Sequence, residues 1–219
     1  MTVAAVVLVP DIAAALGDAD GEPAIRRVAH SAWAGGALPI VIVADDPDGL
    51  LSAAVADLPV MLTSPAAGPP GITWFVGGLR AALTAVTETT AGLLWPFRHA
   101  WVDPETVTSL VEAHGPSPEA IVRPAYAGHT GFPILVPAVL TERLSAHAGL
   151  HGEEAVVALI AEGVPVRVLE LGDPGIVHDL TEPRSGLPEY QGPPQPAAGP
   201  PPDWNTALAA EAQRSGEPG

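Results

Sequence analysis

Apolar residues come in two spacings along this chain, and the alternation between them predicts the fold. Residues 3–9 (VAAVVLV) form an unbroken, mostly β-branched run, the pattern of a strand buried on both faces. A polar stretch containing Gly17 and Gly21 follows. Residues 23–36 then switch to helical spacing, with Ile25, Val28, Ala29, Ala32 and Trp33 on one face. Pro23 suits the first helical turn and Gly35-Gly36 the stop. A second buried strand is expected over 38–46, a short helix over 48–57 and a third strand over 59–65. This β-α-β-α-β order predicts a parallel sheet with right-handed crossovers.

Residues 66–78 are rich in glycine and proline and lead into a helix over 79–86. A fourth strand is expected over 92–97. Asp103 then caps a helix whose first residue is Pro104. Residues 120–126 and 132–137 read as two strands around the turn Ala127–Gly131, followed by helices over about 137–147 and 152–162 and a late strand over 165–171. No fixed-period repeat is present. The expected architecture is an α/β, three-layer α/β/α sandwich with a mostly parallel, Rossmann-like central sheet.

The pattern breaks near Pro183. The expected folded domain covers 1–184, and 185–219 form a proline-rich tail. Two readings stay open for that tail: a mobile segment, or a strap docked through Tyr190 and Trp204. Asp203 is placed to cap a short terminal helix.

Composition narrows the function classes. The chain has 219 residues, 47% hydrophobic, enough for one α/β domain with a substantial core. It contains no cysteine, which excludes disulfides, thiolate metal sites and a cysteine nucleophile. Its 25 acids face 9 bases, every base is arginine, and the net charge is −16. That balance argues against nucleic acid and anionic membranes as partners, because both demand basic patches. The opening apolar run is too short for a secretory signal or a membrane span, so a cytoplasmic protein is expected. A small-molecule ligand or a protein partner, including a second copy in a homodimer, remains compatible.

Several motifs in the second half carry a resemblance. They are Tyr126-Ala-Gly-His-Thr-Gly131-Phe-Pro133-Ile-Leu135, His151-Gly152-Glu153-Glu154, and Val166-Arg-Val-Leu-Glu-Leu-Gly-Asp173-Pro174-Gly175 followed by Asp179-Leu-Thr-Glu-Pro183. Upstream, Leu93-Leu94 precedes Val102-Asp103-Pro104-Glu105-Thr106. In order and spacing these resemble the MobA-like NTP transferases, over about residues 3–185, and among them the molybdopterin cytidylyl- and guanylyltransferases. The resemblance implies coupling of a nucleoside triphosphate to a phosphorylated acceptor with release of pyrophosphate, with Mg²⁺ as the cofactor of an active member.

Three pieces of apparatus come with that resemblance. The first is a glycine-rich phosphate loop after the first strand, where glycines let backbone N–H groups approach phosphate and cations neutralise it. The corresponding stretch here is Leu8–Gly17, with Pro10 and Asp11 at the early glycine and no base between Met1 and Glu22. A carboxylate there repels a triphosphate, by a few kcal/mol at an effective dielectric of about 20. The second is a metal-binding aspartate after the fourth strand; counting back from Asp103, that position falls on Arg98. The third is a second metal carboxylate, which remains as Asp179. One carboxylate is a poor Mg²⁺ site, since Mg²⁺ prefers octahedral oxygen coordination. Arg98 is therefore expected either to pair with Asp179 as a built-in cation or to point, like Asp179, into solvent.

Gly71, Gly78 and Arg80 match the family's further nucleotide-contacting segment. His99, His129, Gly131 and His178 are expected at the C-terminal edge of the sheet, where α/β sheets bind ligands. Trp74, Trp95 and Trp101 either pack the core or fill the cleft. Two functional classes follow: a binding, scaffold or interaction protein whose catalysis is impaired, or a divergent but active nucleotidyltransferase.

Overall fold

A computed structural model describes residues 2–68 and 70–192. The strands are β1 (Thr2–Val9), β2 (Ile40–Ala44), β3 (Val60–Thr63), β4 (Thr89–Pro96), β5 (Ile121–Tyr126), β6 (His129–Thr130), β7 (Ile134–Pro137) and β8 (Val166–Glu170). The helices are α1 (Ile12–Ala15), α2 (Ala24–Ala34), α3 (Leu50–Ala54), α4 (Ile72–Ala85), α5 (Pro104–His114), α6 (Thr141–Ser145) and α7 (Gly152–Ala161).

The strands lie in the order β3-β2-β1-β4-β7-β5, with β8 and the short β6 also on β5. Pairings β1–β2, β2–β3, β1–β4 and β5–β8 are parallel, whereas β7 runs antiparallel to both β4 and β5. The sheet is thus mostly parallel, with β7 reversed because a short turn rather than a helix links it to β5 and β6.

β1 explains the three layers. Val3, Ala5, Val7 and Val9 face a core shared with α2 and α5, while Ala4, Val6 and Leu8 face one shared with α4 and α7. Alternate residues of a strand point to opposite faces, so a strand apolar at every position must be covered twice. Each fully buried valine or leucine contributes roughly 1.5–3 kcal/mol.

Two helical expectations shift. The fourth helix begins at Ile72, inside the glycine-rich stretch, rather than at Leu79. Gly77 and Gly78 are helical, and a Cβ on Gly78 would lie 2.5 Å from Val6 Cγ1 and 2.8 Å from Val43 Cγ2. Gly78 is a contact residue that lets α4 press onto the sheet, at a helix-propensity cost of about 1 kcal/mol. The helix expected over 137–147 is instead a 3₁₀ turn (Ala138–Leu140) leading into the short α6. Trp33, assigned to the buried face of α2, is 57% exposed, because the small Ser31 and Ala32 take the buried positions of the last turn. Asp103 caps α5 as its sequence suggests, accepting from Glu105 N at 2.9 Å.

The segment after Pro183 lies on the domain as far as it is described. Arg184 and Arg27 sit over the Trp101 ring, 5.0 and 4.8 Å from its centroid, and Arg184 also pairs with Asp20. Tyr190 Oη donates to Glu105 at 2.9 Å, and Gln191 N donates to the Gly172 carbonyl at 2.9 Å. Tyr190 is therefore an anchor of a docked strap; Trp204 and the helix expected after Asp203 lie outside the described residues. Among the described residues, no helix is long and apolar enough to cross a membrane.

Candidate functional site

Two loops meet at the C-terminal edge of the sheet: Phe97–Val102 after β4 and Asp173–Glu182 after β8. The buried Asp173 carboxylate locks them together, accepting from Asp103 N at 2.9 Å, Thr106 Oγ1 at 2.7 Å and Gly175 N at 2.8 Å. Burial raises its pKa, and the three hydrogen bonds oppose that rise without cancelling it. Leu180 N donates to the Arg98 carbonyl at 3.0 Å, and Phe132 N to the Ile176 carbonyl at 2.9 Å. Glycine is needed at two of these contacts. A Cβ on Gly131 would overlap the Ile176 carbonyl, and one on Gly175 would overlap the Trp101 carbonyl.

On this frame Arg98 Nη1 lies 3.6 Å from Asp179 Oδ1. That oxygen also accepts from Thr181 N at 2.8 Å and Thr181 Oγ1 at 2.7 Å. Partial burial pushes the Asp179 carboxyl up, but the Thr181 hydrogen bonds, aided by the Arg98 charge, outweigh it and hold the group below its ordinary value. His99 stacks on Phe132 with ring centroids 4.9 Å apart. Burial pushes its imidazole down to about 4 despite the Asp179 and Glu153 carboxylates, and its Nδ1 has no partner among the described residues. His178 is buried, with Nδ1 3.2 Å from Glu182 and Nε2 unpartnered among the described residues.

Beside Arg98 opens a cavity of about 390 Å³ over the ends of β1 and β4. Leu8, Pro10, Leu94, Pro96, Phe97 and Phe132 supply apolar wall, Gly71 and Gly152 supply backbone, and Arg98, His151 and Glu153 bring the polar groups. Glu153 is held by Arg123 at 2.5 Å. Across Pro10 lies a second, open cleft lined by Asp11, Asp45, Asp46 and Asp48. Asp11 caps α1, accepting from Ala14 N at 3.0 Å.

The sequence-derived site residues therefore divide. Pro10, Gly71 and Arg98 line the cavity; His99, Gly131, His178 and Asp179 build the loop frame next to it. Gly78 lies in the contact between α4 and the sheet. Arg80 is turned to solvent and bonded to Glu142 and Ser145 at 2.9 and 3.3 Å, so neither belongs to this cavity. His129 is exposed on β6, opposite Tyr126, because the two-residue strand carries it past the loop frame. Trp74, Trp95 and Trp101 pack in the two cores, none of them lining the cavity. Sequence reasoning missed the Arg123–Glu153 pair and the bracing role of Asp173. An arginine inside the otherwise apolar β5 was the available signal, since such a residue is rarely buried unless paired.

The donor set does not suit a divalent cation. No group of three or more His, Asp or Glu able to hold a metal occurs among the described residues. Arg98 faces the one carboxylate at this edge that the resemblance assigns to metal, and a guanidinium cannot be a ligand.

Comparisons with known proteins agree with this architecture. The family model described as the MobA-like NTP transferase domain matches residues 15–166. No curated protein sequence matches the chain. Among solved structures, Rv0371c from Mycobacterium tuberculosis in complex with manganese is 22% identical, with a TM-score of 0.59, covering 78% of this chain and 88% of that one. A nucleotidyl transferase from Methanothermobacter is 15% identical with a TM-score of 0.62, covering 82% and 92%. The 2-C-methyl-D-erythritol 4-phosphate cytidylyltransferase from Thermus thermophilus is 16% identical with a TM-score of 0.59, covering 84% and 94%. At these identities the likeness is one of fold.

Proposed function

The chain belongs to the MobA-like NTP transferase family, and on that premise we propose that it is a member in which metal-dependent nucleotidyl transfer has given way to metal-independent binding of a small molecule. The observation that carries this reading is the Arg98–Asp179 contact at 3.6 Å, a cation facing the single retained acidic position. Nucleotidyl transfer needs positive charge arrayed on a triphosphate as charge moves between its oxygens. Here the neighbouring cleft across Pro10, beside the first loop, carries Asp11, Asp45, Asp46 and Asp48. Carboxylates on a phosphate path raise the barrier instead of lowering it. The complete absence of lysine from the sequence points the same way.

A divergent active transferase is the second reading. It draws support from Asp179, from the cavity over β1 and β4, and from the transferase descriptions of the solved structures with this fold. A thermal-shift experiment with CTP or GTP and Mg²⁺ separates the two. A ligand at 100 times its Kd stabilises by about 2.7 kcal/mol. The binding-protein reading expects no shift; a rise of several degrees supports the transferase.

A further inference from the structure

The cavity beside Arg98 combines an apolar interior with one guanidinium that still has donors to offer. Its walls include Leu8, Leu94, Pro96, Phe97 and Phe132, and its volume is about 390 Å³. Of its two formally charged side chains, Glu153 is neutralised by Arg123 at 2.5 Å. Arg98 is different. Its contact with Asp179 is 3.6 Å, beyond hydrogen-bond distance, and its side chain is 36% exposed. The facing oxygen of Asp179 is already bonded twice by Thr181. The fork of Arg98 is therefore free to donate to an incoming oxyanion, with flat apolar surface beside it.

The surroundings also limit how much negative charge can enter. Beyond Pro10 stand Asp11, Asp45, Asp46 and Asp48, so an anion extending from Arg98 toward the first loop meets carboxylates. A single compact anion at the guanidinium avoids them. Carboxylate matches an arginine fork in a planar, two-bond geometry, and the charge-assisted pair is stronger than a neutral one.

We infer that this cavity takes a small, flat, apolar molecule bearing one carboxylate, oriented by Arg98 and bound without a metal ion. The inference rests on the metal-independent reading of the site and adds the ligand class. Arg98 N–H groups donate to the ligand carboxylate, and the ring system lies against Leu94, Phe97 and Phe132. The Asp179 carboxylate, 3.6 Å from the same guanidinium, is a like charge near the ligand carboxylate and so moderates affinity.

The test uses 2-naphthoate as probe, titrated into the full chain in the presence of EDTA, with 2-naphthamide as its uncharged counterpart. Saturable binding of naphthoate is expected, with naphthamide at least about tenfold weaker. Arg98→Gln lowers naphthoate affinity about tenfold or more and leaves naphthamide unchanged, whereas Arg98→Lys recovers part of the loss. Asp179→Asn raises naphthoate affinity severalfold by removing a like charge beside the ligand carboxylate. Because Arg98 is more than one-third exposed, its replacement leaves both cores intact, and a thermal melt of each variant checks this. Equal affinity for acid and amide, no response to either Arg98→Gln or Asp179→Asn, dependence on Mg²⁺ or Mn²⁺, or no binding overturns the ligand class. Protein-dependent release of pyrophosphate from a nucleoside triphosphate overturns the underlying reading instead, whatever naphthoate does.

Discussion

Arg98 and Asp179 stand 3.6 Å apart on loops that follow two different strands, joined by a backbone hydrogen bond from Leu180 N to the Arg98 carbonyl at 3.0 Å. The contact brings a cation to the carboxylate that the resemblance assigns to metal. Both side chains are about one-third exposed, so solvent screens the pair. A double-mutant cycle with Arg98→Ala and Asp179→Ala in urea is therefore expected to give a coupling of at most about 1 kcal/mol. A coupling above roughly 2 kcal/mol would mean the pair holds the fold together rather than setting the charge of the cleft.

Asp173 is the residue that holds the frame. Removing its side chain strands Asp103 N, Gly175 N and the Thr106 hydroxyl, two of them buried. Asp173→Ala is expected to cost about 2–4 kcal/mol of unfolding free energy in a denaturant titration, and Asp173→Asn less. A loss below about 1 kcal/mol would show that the loops are held elsewhere.

Gly78 is a steric position. A Cβ there would approach Val6 Cγ1 to 2.5 Å, so Gly78→Ala forces α4 off the sheet despite alanine's better helix propensity. The expected destabilisation is about 1–3 kcal/mol. A stabilised variant would contradict the packing described for α4.

His99 gives the stability a pH dependence of known sign. Its imidazole is held down to about 4 by burial, below the ordinary value of 6.5, so the folded state binds its proton more weakly than the unfolded chain does. Stability is thus fully kept above pH 6.5, declines as pH falls below it, and has lost this contribution, about 3 kcal/mol, once pH is near 4. Buried His114, whose pKa is also lowered by desolvation, adds to the slope in the same direction. Urea titrations between pH 7 and pH 4.5 should show a shallower decline for His99→Phe than for wild type. Parallel curves would mean that His99 charges freely in the folded state.

The parts of this fold that could be read from sequence are those where local pattern and tertiary burial demand the same thing. β2, residues 3–9 of β1 and residues 91–96 of β4 are apolar throughout because both faces are covered, and no exposed strand needs such a run. The start of α4 was illegible because glycine signals a turn in sequence, and only the distance to Val6 shows that Gly78 serves close packing. Trp33 followed the helical period yet ended exposed, since periodicity does not tell where a helix stops being covered. At the site, the approach of Arg98 to Asp179 was accessible through the order of family-like motifs. The Arg123–Glu153 pair was not, because its partners come from a strand and a helix start with no local signature linking them. Arg80 and His129 show the converse: residues near the right segment in sequence whose side chains are bonded or exposed elsewhere.

The measurement that bears most directly on the central claim is pyrophosphate release. The full chain is incubated with each nucleoside triphosphate, a phosphorylated pterin acceptor, and Mg²⁺ or Mn²⁺. With Arg98 facing Asp179 and four aspartates beside the first loop, release at the level of the protein-free control is expected with every nucleotide. Release that rises with protein concentration and disappears in Asp179→Asn would contradict the account.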